Sequence, residues 1–319
     1  MKAVYCTAFG SHQDLKILDV EPPSAPAVAE VQVAIKARGI QFSDLVKIGG
    51  NYQDQSKPPF VVGGEAAGII TALGAGVTDY AVGDAVLCFG GCVEQANVAA
   101  STLVAVPQGA DLNAAASFRN NYATAYYGLQ RAQLQAGETL LIHGAAGGVG
   151  LAAVDIGKLM GARVIATASS DDKLAVVGSM GADHLINYSD GFRQQVKDLT
   201  GGLGADVIYD PVGGDVFDES VRCIAPFGRI LIVGFTSGRP ALAKTNHLLV
   251  KDASVIGYNL GNLAKYKPKQ MQVNNDTLMG WLAQGRIKPY VSHIMPMEEV
   301  VEAYQLLVDR KVIGKVILS

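Results

Sequence analysis

The sequence predicts a two-part chain, a small β-rich unit followed by an α/β unit built on a doubly wound parallel sheet, and three observations carry that expectation. The first is length: 319 residues exceed what one hydrophobic core usually fills, because such cores stop growing near ~250–300 residues. The second is a change of texture. Up to about residue 112 short β-type runs are divided by Pro and Gly turns, and from about Gly137 apolar strands alternate with helical patterns. The third is a glycine cluster, Gly144-Ala145-Ala146-Gly147-Gly148-Val149-Gly150, placed between the first of those strands and the first of those helices.

Each element follows from its residues. In the β-rich unit the runs 31–35, 68–70 and 85–87 are separated by turns such as Glu21-Pro22-Pro23 and Val82-Gly83-Asp84. In the α/β unit strands are expected at 139–143, 163–168, 184–187, 206–209, 229–233 and 254–258. Between the first two, Val149, Ala152, Ala153, Ile156 and Met160 recur at helical spacing, so the helix buries one stripe and the segment is a βαβ unit. The chain closes with a helix carrying Val300, Ala303, Tyr304 and Leu307 on one face. An apolar strand, Lys315-Val316-Ile317-Leu318, follows, and this tail is expected to return to the first unit.

Composition removes several classes of function. Hydrophobic residues make up 49% and charged residues 17%, which rules out a disordered chain. The 26 Lys+Arg stand against 29 Asp+Glu without a dense basic run, so the footprint of a nucleic-acid binder is missing. Four scattered cysteines, Cys6, Cys88, Cys92 and Cys223, do not make a disulfide framework. The first residues, Met1-Lys2-Ala3-Val4-Tyr5-Cys6, lack the apolar core of a secretory signal, and glycine clusters interrupt every long apolar stretch. The expectation is a cytoplasmic protein with a small-molecule partner and neither nucleic acid nor membrane.

In the glycine cluster, Ala145, Gly147 and Gly150 occupy the three fingerprint positions of a dinucleotide loop, with alanine for the first glycine. Such a loop must turn tightly and let bare backbone approach a pyrophosphate, whose charge rests on N–H groups at the positive helix end. A plain tight turn would also use glycine, but the strand before and the helix after agree with a dinucleotide site. Its contacts are expected at Ala146, Gly147, Gly148 and Val149.

The end of the second strand selects the dinucleotide, because an acid there grips a ribose 2′-hydroxyl and repels a 2′-phosphate. The sequence places Ala168 at that point, followed by Ser169, Ser170, Asp171, Asp172 and Lys173. Two hydroxyls and an ammonium suit a phosphate, so the expected cofactor is NADPH. Ser170 could also cap the next helix, with Asp171 and Asp172 complementing its dipole and Lys173 solvated.

These residues resemble the zinc-free branch of the medium-chain dehydrogenase/reductase superfamily, the quinone oxidoreductase family that includes ζ-crystallin. The resemblance spans essentially the whole chain. Its carriers are Gly39-Ile40-Gln41-Phe42-Ser43-Asp44, Gly50-Asn51-Tyr52, Gly63-Gly64-Glu65-Ala66-Ala67-Gly68, the loop 145–150, the run 181–188, Tyr209-Asp210-Pro211-Val212-Gly213-Gly214 and Gly314-Lys315-Val316. It implies a Rossmann domain inserted into a GroES-like β-barrel domain, with the first part at 1–118, the Rossmann part at 119–257 and the return at 258–319. It further implies a homodimer, and a 2′-phosphate held by Lys173, Tyr188 and Arg310. Tyr188 could instead cover a strand end, and Arg310 could be a surface cation. Thr124 matches a position beside the nicotinamide, and Phe235 joins the expected cofactor contacts. Arg119-Asn120-Asn121 departs from the more apolar pattern of the family.

Zinc alcohol dehydrogenases need a cysteine, a His-Glu pair and a further ligand. Here Gln41 and Gly64 stand where the Cys and His would be, and Glu65 remains; Cys88 and Cys92 make one isolated pair. No metal is expected. Without a Lewis acid the feasible reaction is hydride transfer to an acceptor that conjugation already makes electron-poor, a quinone first, an enal, enone or enoyl thioester as the alternative. The catalytic candidates are Tyr52, which matches a tyrosine of the family's cofactor cleft, and Gln41, which replaces the family's asparagine. Tyr52 could equally be an ordinary loop tyrosine, and Asp44 fits a structural role better than that of a base. A third reading is a protein that binds NADPH without turnover.

Overall fold

The structure, a computed structural model, describes residues 1–52 and 56–319. The chain forms two compact units, Met1–Arg119 with Pro289–Ser319, and Asn120–Lys288.

The first unit is built around the long strand Glu30–Ile40, whose alternate residues Val31, Val33, Ile35 and Ala37 are buried. It pairs antiparallel with Glu65–Leu73 on one side, with Gln95–Ala99 over its first half, and with the C-terminal strand Lys315–Leu318 at its end, Val316 facing Ile40 and Leu318 facing Arg38. The tail thus returns as expected. Val291–Met295 extends the sheet beyond it, and a second sheet of Lys16–Asp19, Lys2–Cys6 and Phe60–Val61 lies in the same unit. The helix Val300–Val308 buries Val300, Ala303 and Tyr304 in a cluster with Val4, Ile40, Ile48 and Leu318.

One side chain of the returning strand crosses its neighbour. The Lys315 ammonium donates to Glu65 Oε2 at 3.1 Å, and both side chains are buried. Strand Glu30–Ile40 lies between the two, so the lysine stem must pass over it, and it does so at Gly39. A Cβ on Gly39 would stand 2.8 Å from Lys315 Cε and 2.2 Å from the carbonyl oxygen of Ala116, so no other residue fits.

The second unit is a six-stranded parallel sheet in the order His184–Asn187, Arg163–Ala168, Thr139–Ile142, Ala205–Asp210, Ile224–Ile232 and Ser254–Gly257. The order reverses between Thr139–Ile142 and Ala205–Asp210, which creates the crevice where ligands of such sheets bind. Two expectations need correction. The fifth strand begins at Ile224 rather than at residue 229, because Pro226 and Gly228 read as turn signals while the strand runs through them as an irregularity: Ala205 faces Ile224, Val207 faces Arg229, and Phe227 lies at φ 62°. The return to the first unit comes at Pro289 rather than at residue 258. The helix Pro268–Ala283 stays with the second unit, where Asn274 exchanges hydrogen bonds with Gln130 at 2.9 and 3.2 Å.

The Lys315–Glu65 pair sets a first prediction. Lys315→Met strands a buried carboxylate and should lower unfolding free energy by about 3–5 kcal/mol, whereas Glu65→Gln with Lys315→Met should recover most of it. Urea unfolding of both variants measures the difference; equal losses would show that charge pairing is not what the site requires.

Candidate active site

The strand Thr139–Ile142 is buried throughout, and the chain leaves it through Gly144 at φ 54°. Ala145 N–H donates to Thr167 O at 3.0 Å and Gly147 N–H to Gly144 O at 2.9 Å, tying the loop to the second strand and to itself. Gly147 is the N-cap of the helix Gly148–Leu159 and brings no side chain to it. A Cβ on Gly150 would lie 2.4 Å from Gly144 O and 2.7 Å from Ala145 Cα, and one on Gly148 2.4 Å from the Asn121 amide. The helix therefore sits as close to the loop as bare backbone permits, and its positive end is open backbone at Gly147. Such a cradle fits a pyrophosphate.

At the end of the second strand Ala168 is buried, Ser169 is exposed, and Lys173 Nζ lies 3.4 Å from Ser169 Oγ. Ser170 holds the N-cap position of the helix Asp171–Ser179, yet its hydroxyl makes no capping bond. The capping role open to Ser170 is therefore corrected: its extended backbone starts the helix while its side chain is left for other use. Register pairs Ala168 with Asn187, so Tyr188, the next residue, lies level with Ser169. Tyr188 borders a cleft of about 370 Å³ lined also by Phe192, Arg193, Asp215, Val216 and Glu219. With no acid at Ala168, this edge fits the phosphorylated dinucleotide, NADPH.

On the other side of the crevice Asp210 Oδ1 accepts from Val212 N–H at 2.8 Å and Gly213 N–H at 2.9 Å, fixing the turn after the fourth strand. Burial raises its carboxyl above the usual range, against those two bonds. Phe235 lies against Gly213, 3.0 Å from where a Cβ would be. Thr124 is half-buried on the helix Arg119–Arg131. The second unit thus gathers Ala146 to Val149, Ser169, Ser170, Lys173 and Tyr188 at the C-terminal edge of its sheet.

Gln41, Tyr52 and Arg310 belong to the first unit. Gln41 is the N-cap of the helix Phe42–Ile48, and Tyr52 follows its C-terminal turn through Gly50 at φ 75°, so one helix of about 10 Å rise separates them. Gln41 N–H donates to Asp44 Oδ2 at 2.9 Å, and the same oxygen accepts from Tyr304 O–H at 3.2 Å. Burial pushes the Asp44 carboxyl up to about 6 despite these bonds and nearby Lys315. Asp44 therefore anchors Gln41. Tyr52 is 46% exposed. Arg310, also exposed, closes the helix Val300–Val308 in the left-handed conformation at φ 56°.

Sequence reasoning missed His143, directly before the loop. Its Nε2 lies 2.8 Å from Ser220 Oγ and its Nδ1 3.0 Å from Thr167 Oγ1. Ser220 gives its only proton to Val216 O at 2.7 Å, so it accepts from Nε2–H, and Nδ1 accepts from Thr167. Both ring nitrogens are satisfied in the neutral form, and burial holds the imidazolium pKa down to about 3. A single His at a strand end offers no sequence signal for this bridge.

The geometry has a counterpart in known proteins. Residues 27–118 match the alcohol dehydrogenase GroES-like domain, and residues 148–274 the zinc-binding dehydrogenase domain. Quinone oxidoreductase-like protein 2 homolog of Nematostella vectensis is 37% identical over all of this chain and 88% of its own length. A highly reducing polyketide synthase of Didymella fabae is 34% identical over 91% of this chain, which corresponds to 16% of that protein. The Escherichia coli quinone oxidoreductase complexed with NADPH superposes with a TM-score of 0.91 at 28% identity, covering 100% of this chain and 99% of the other. The chain belongs to the medium-chain dehydrogenase/reductase superfamily and, within it, to the quinone oxidoreductase family. Its two units are accordingly a GroES-like domain and the Rossmann domain inserted into it.

A zinc ion does not fit the residues present. Gln41 offers an amide, Gly64 offers nothing, and the Glu65 carboxylate is held by Lys315. Among the described residues no group of three or more His, Cys, Asp or Glu side chains could hold a metal, and no helix is long and apolar enough to cross a membrane.

His143 carries the second prediction. Its folded pKa lies below the unfolded value of 6.5, so its contribution is complete above pH 6.5 and is lost as pH falls toward about 3. Between pH 7 and 5 the wild-type protein should lose up to about 2 kcal/mol more stability than His143→Gln. Asp44 has the opposite sign but is common to both proteins and cancels. Parallel acid profiles in urea melts would contradict the neutral bridge.

Proposed function

We propose that the chain is an NADPH-dependent oxidoreductase that reduces quinones without zinc. The observation that carries the reading is a dinucleotide cradle accompanied by an amide, a bare glycine and a lysine-bound carboxylate where a catalytic zinc would need ligands. With no Lewis acid to polarise an isolated carbonyl, the acceptor must itself be electron-poor.

NADPH, when bound, supplies the hydride. Ala146, Gly147, Gly148 and Val149 would hold its pyrophosphate, Ser169, Ser170 and Lys173 its 2′-phosphate with Tyr188 and Arg310, and Thr124 and Phe235 would line its path. The Gln41 amide, held by Asp44 through its backbone N–H and its side chain, and the Tyr52 phenol would be the hydrogen-bond donors for negative charge that builds on the acceptor oxygens. The identity to polyketide synthase segments favours a second reading, reduction of enals, enones or enoyl thioesters, in which Tyr52 donates a proton to carbon. A homodimer also belongs to this proposal: Ser254–Gly257 is an edge strand, and Leu249 and Val250 before it are 78% and 79% exposed.

NADPH oxidation with 1,4-benzoquinone and with a 2-enal tests the reading. The quinone should give the higher kcat/KM, and Tyr52→Phe should lower turnover on it about 10–100-fold. Preference for the enal would install the second reading, and silence with both would leave a protein that binds NADPH without turnover.

Lys173 gives an independent check. Removing one charge-assisted bond to the 2′-phosphate costs about 1.5–3 kcal/mol, so Lys173→Ala should shrink the NADPH over NADH preference in kcat/KM about 10–100-fold. An unchanged preference would place the phosphate elsewhere.

A further inference from the structure

Among the described residues of the GroES-like unit three Lys and Arg side chains are buried, and two are accounted for. Arg38 donates to the carbonyl oxygens of Val93 and Ile35 at 2.9 and 3.1 Å, and Lys315 is paired with Glu65. Arg119, only 9% exposed, is not. Its one hydrogen bond among the described residues runs from Nη1 to Thr102 O at 3.0 Å, and its Nε is buried with no partner. The Phe89 ring covers one face of the guanidinium, 4.3 Å from Cζ, and satisfies none of its N–H groups. Glu65 is the carboxylate whose charge Arg119 feels, but it is already bonded to Lys315.

The bond to Thr102 matters because of which nitrogen it uses. With Nη1 engaged, the Nε and Nη2 groups form the remaining edge, two parallel N–H donors spaced to meet both oxygens of one carboxylate. A buried guanidinium kept in this condition is a poor structural choice, since an apolar side chain of similar volume would avoid its desolvation. A neutral acceptor gives no reason for that edge.

We infer that Arg119 binds a carboxylate, and that the acceptor of this reductase carries an acid group. The assignment of that carboxylate to an acceptor rests on the reductase reading above; the carboxylate site itself does not.

The test therefore has a binding arm and a turnover arm, both on the NADPH-bound protein. Calorimetry compares benzoate with benzamide, a neutral probe of the same shape, in wild type, Arg119→Met and Arg119→Lys. Wild type should bind benzoate at least tenfold more tightly than benzamide; Arg119→Met should erase the ratio, and Arg119→Lys, which keeps the charge but loses the planar fork, should restore only part of it. The melting temperature of Arg119→Met should hold or rise, which a structural arginine would not allow. No preference for benzoate in wild type, a preference that survives in Arg119→Met, or a lower melting temperature with an unchanged ratio would each overturn the site. In the turnover arm, carboxy-1,4-benzoquinone should exceed 1,4-benzoquinone at least tenfold in kcat/KM, and Arg119→Met should collapse that ratio. A benzoate preference that depends on Arg119, without turnover of either quinone, would refute the quinone reading and leave the carboxylate site standing.

Discussion

The GroES-like unit depends on one buried ion pair. An ammonium on the last strand has its carboxylate two strands away, and neither can be left alone out of water. The stem of Lys315 must then cross the central strand where that strand has no side chain, which makes Gly39 obligatory. One residue later Ile40 pairs with Val316, and Gln41 starts the helix that ends before Tyr52. The same C-terminal segment sends Tyr304 to Asp44, the residue that also holds the Gln41 N–H. Both fixings of the Gln41 corner therefore come from the tail. A chain ending before its last helix and strand would lose the partner of Glu65 and a donor to Asp44 together.

The Rossmann unit solves a different problem with the same economy of side chains. Its first helix must approach the sheet closely enough for loop backbone to face a pyrophosphate, and Gly150 and Gly157 remove the atoms that would prevent it, the latter against Leu140. His143 then bridges Thr167 on the second strand and Ser220 on the helix after the fourth, across the reversal point of the sheet. It can do so without solvation because the neutral ring is both donor and acceptor, whereas a charged ring would be buried at the cost of its desolvation. The crevice edge is thus held by a buried ring that burial favours in its neutral form.

Much of this was legible in the sequence because period and composition encode it. Strands at 163–168 and 184–187, the glycine loop, its helix and the returning tail follow from apolar spacing and from where glycine stands. What escaped is set by tertiary contacts. Pro226 and Gly228 carry the composition of a turn inside a strand, and the helix 268–283 belongs to the Rossmann unit through an Asn274–Gln130 exchange that no periodicity announces. Ser170 has the identity of a cap and not its hydrogen bond. Arg119 stood out in sequence only as part of Arg119-Asn120-Asn121, a departure from the more apolar pattern of the family it resembles; its unsatisfied Nε appears when Thr102, Phe89 and Glu65 are seen around it.

In the proposed quinone reading Gln41 and Tyr52 are the donors, and their placement bears on the choice between acceptors. Gln41 and Tyr52 sit at opposite ends of one helix, about 10 Å of rise apart, so converging on a single oxygen would require both side chains to reach inward along it. An enal has one oxygen, on which charge builds as an enolate, and uses a second donor only at carbon. A 1,4-quinone has oxygens at both ends of its ring, and both gain electron density as the ring becomes aromatic. Under that proposal two separated neutral donors would each meet part of the charge, and neither would have to stabilise a full oxyanion. A carboxylate on the same acceptor would add the one full charge that the Arg119 fork can pair, drawing recognition away from the reacting oxygens and leaving Gln41 and Tyr52 to act on the charge that develops during reduction.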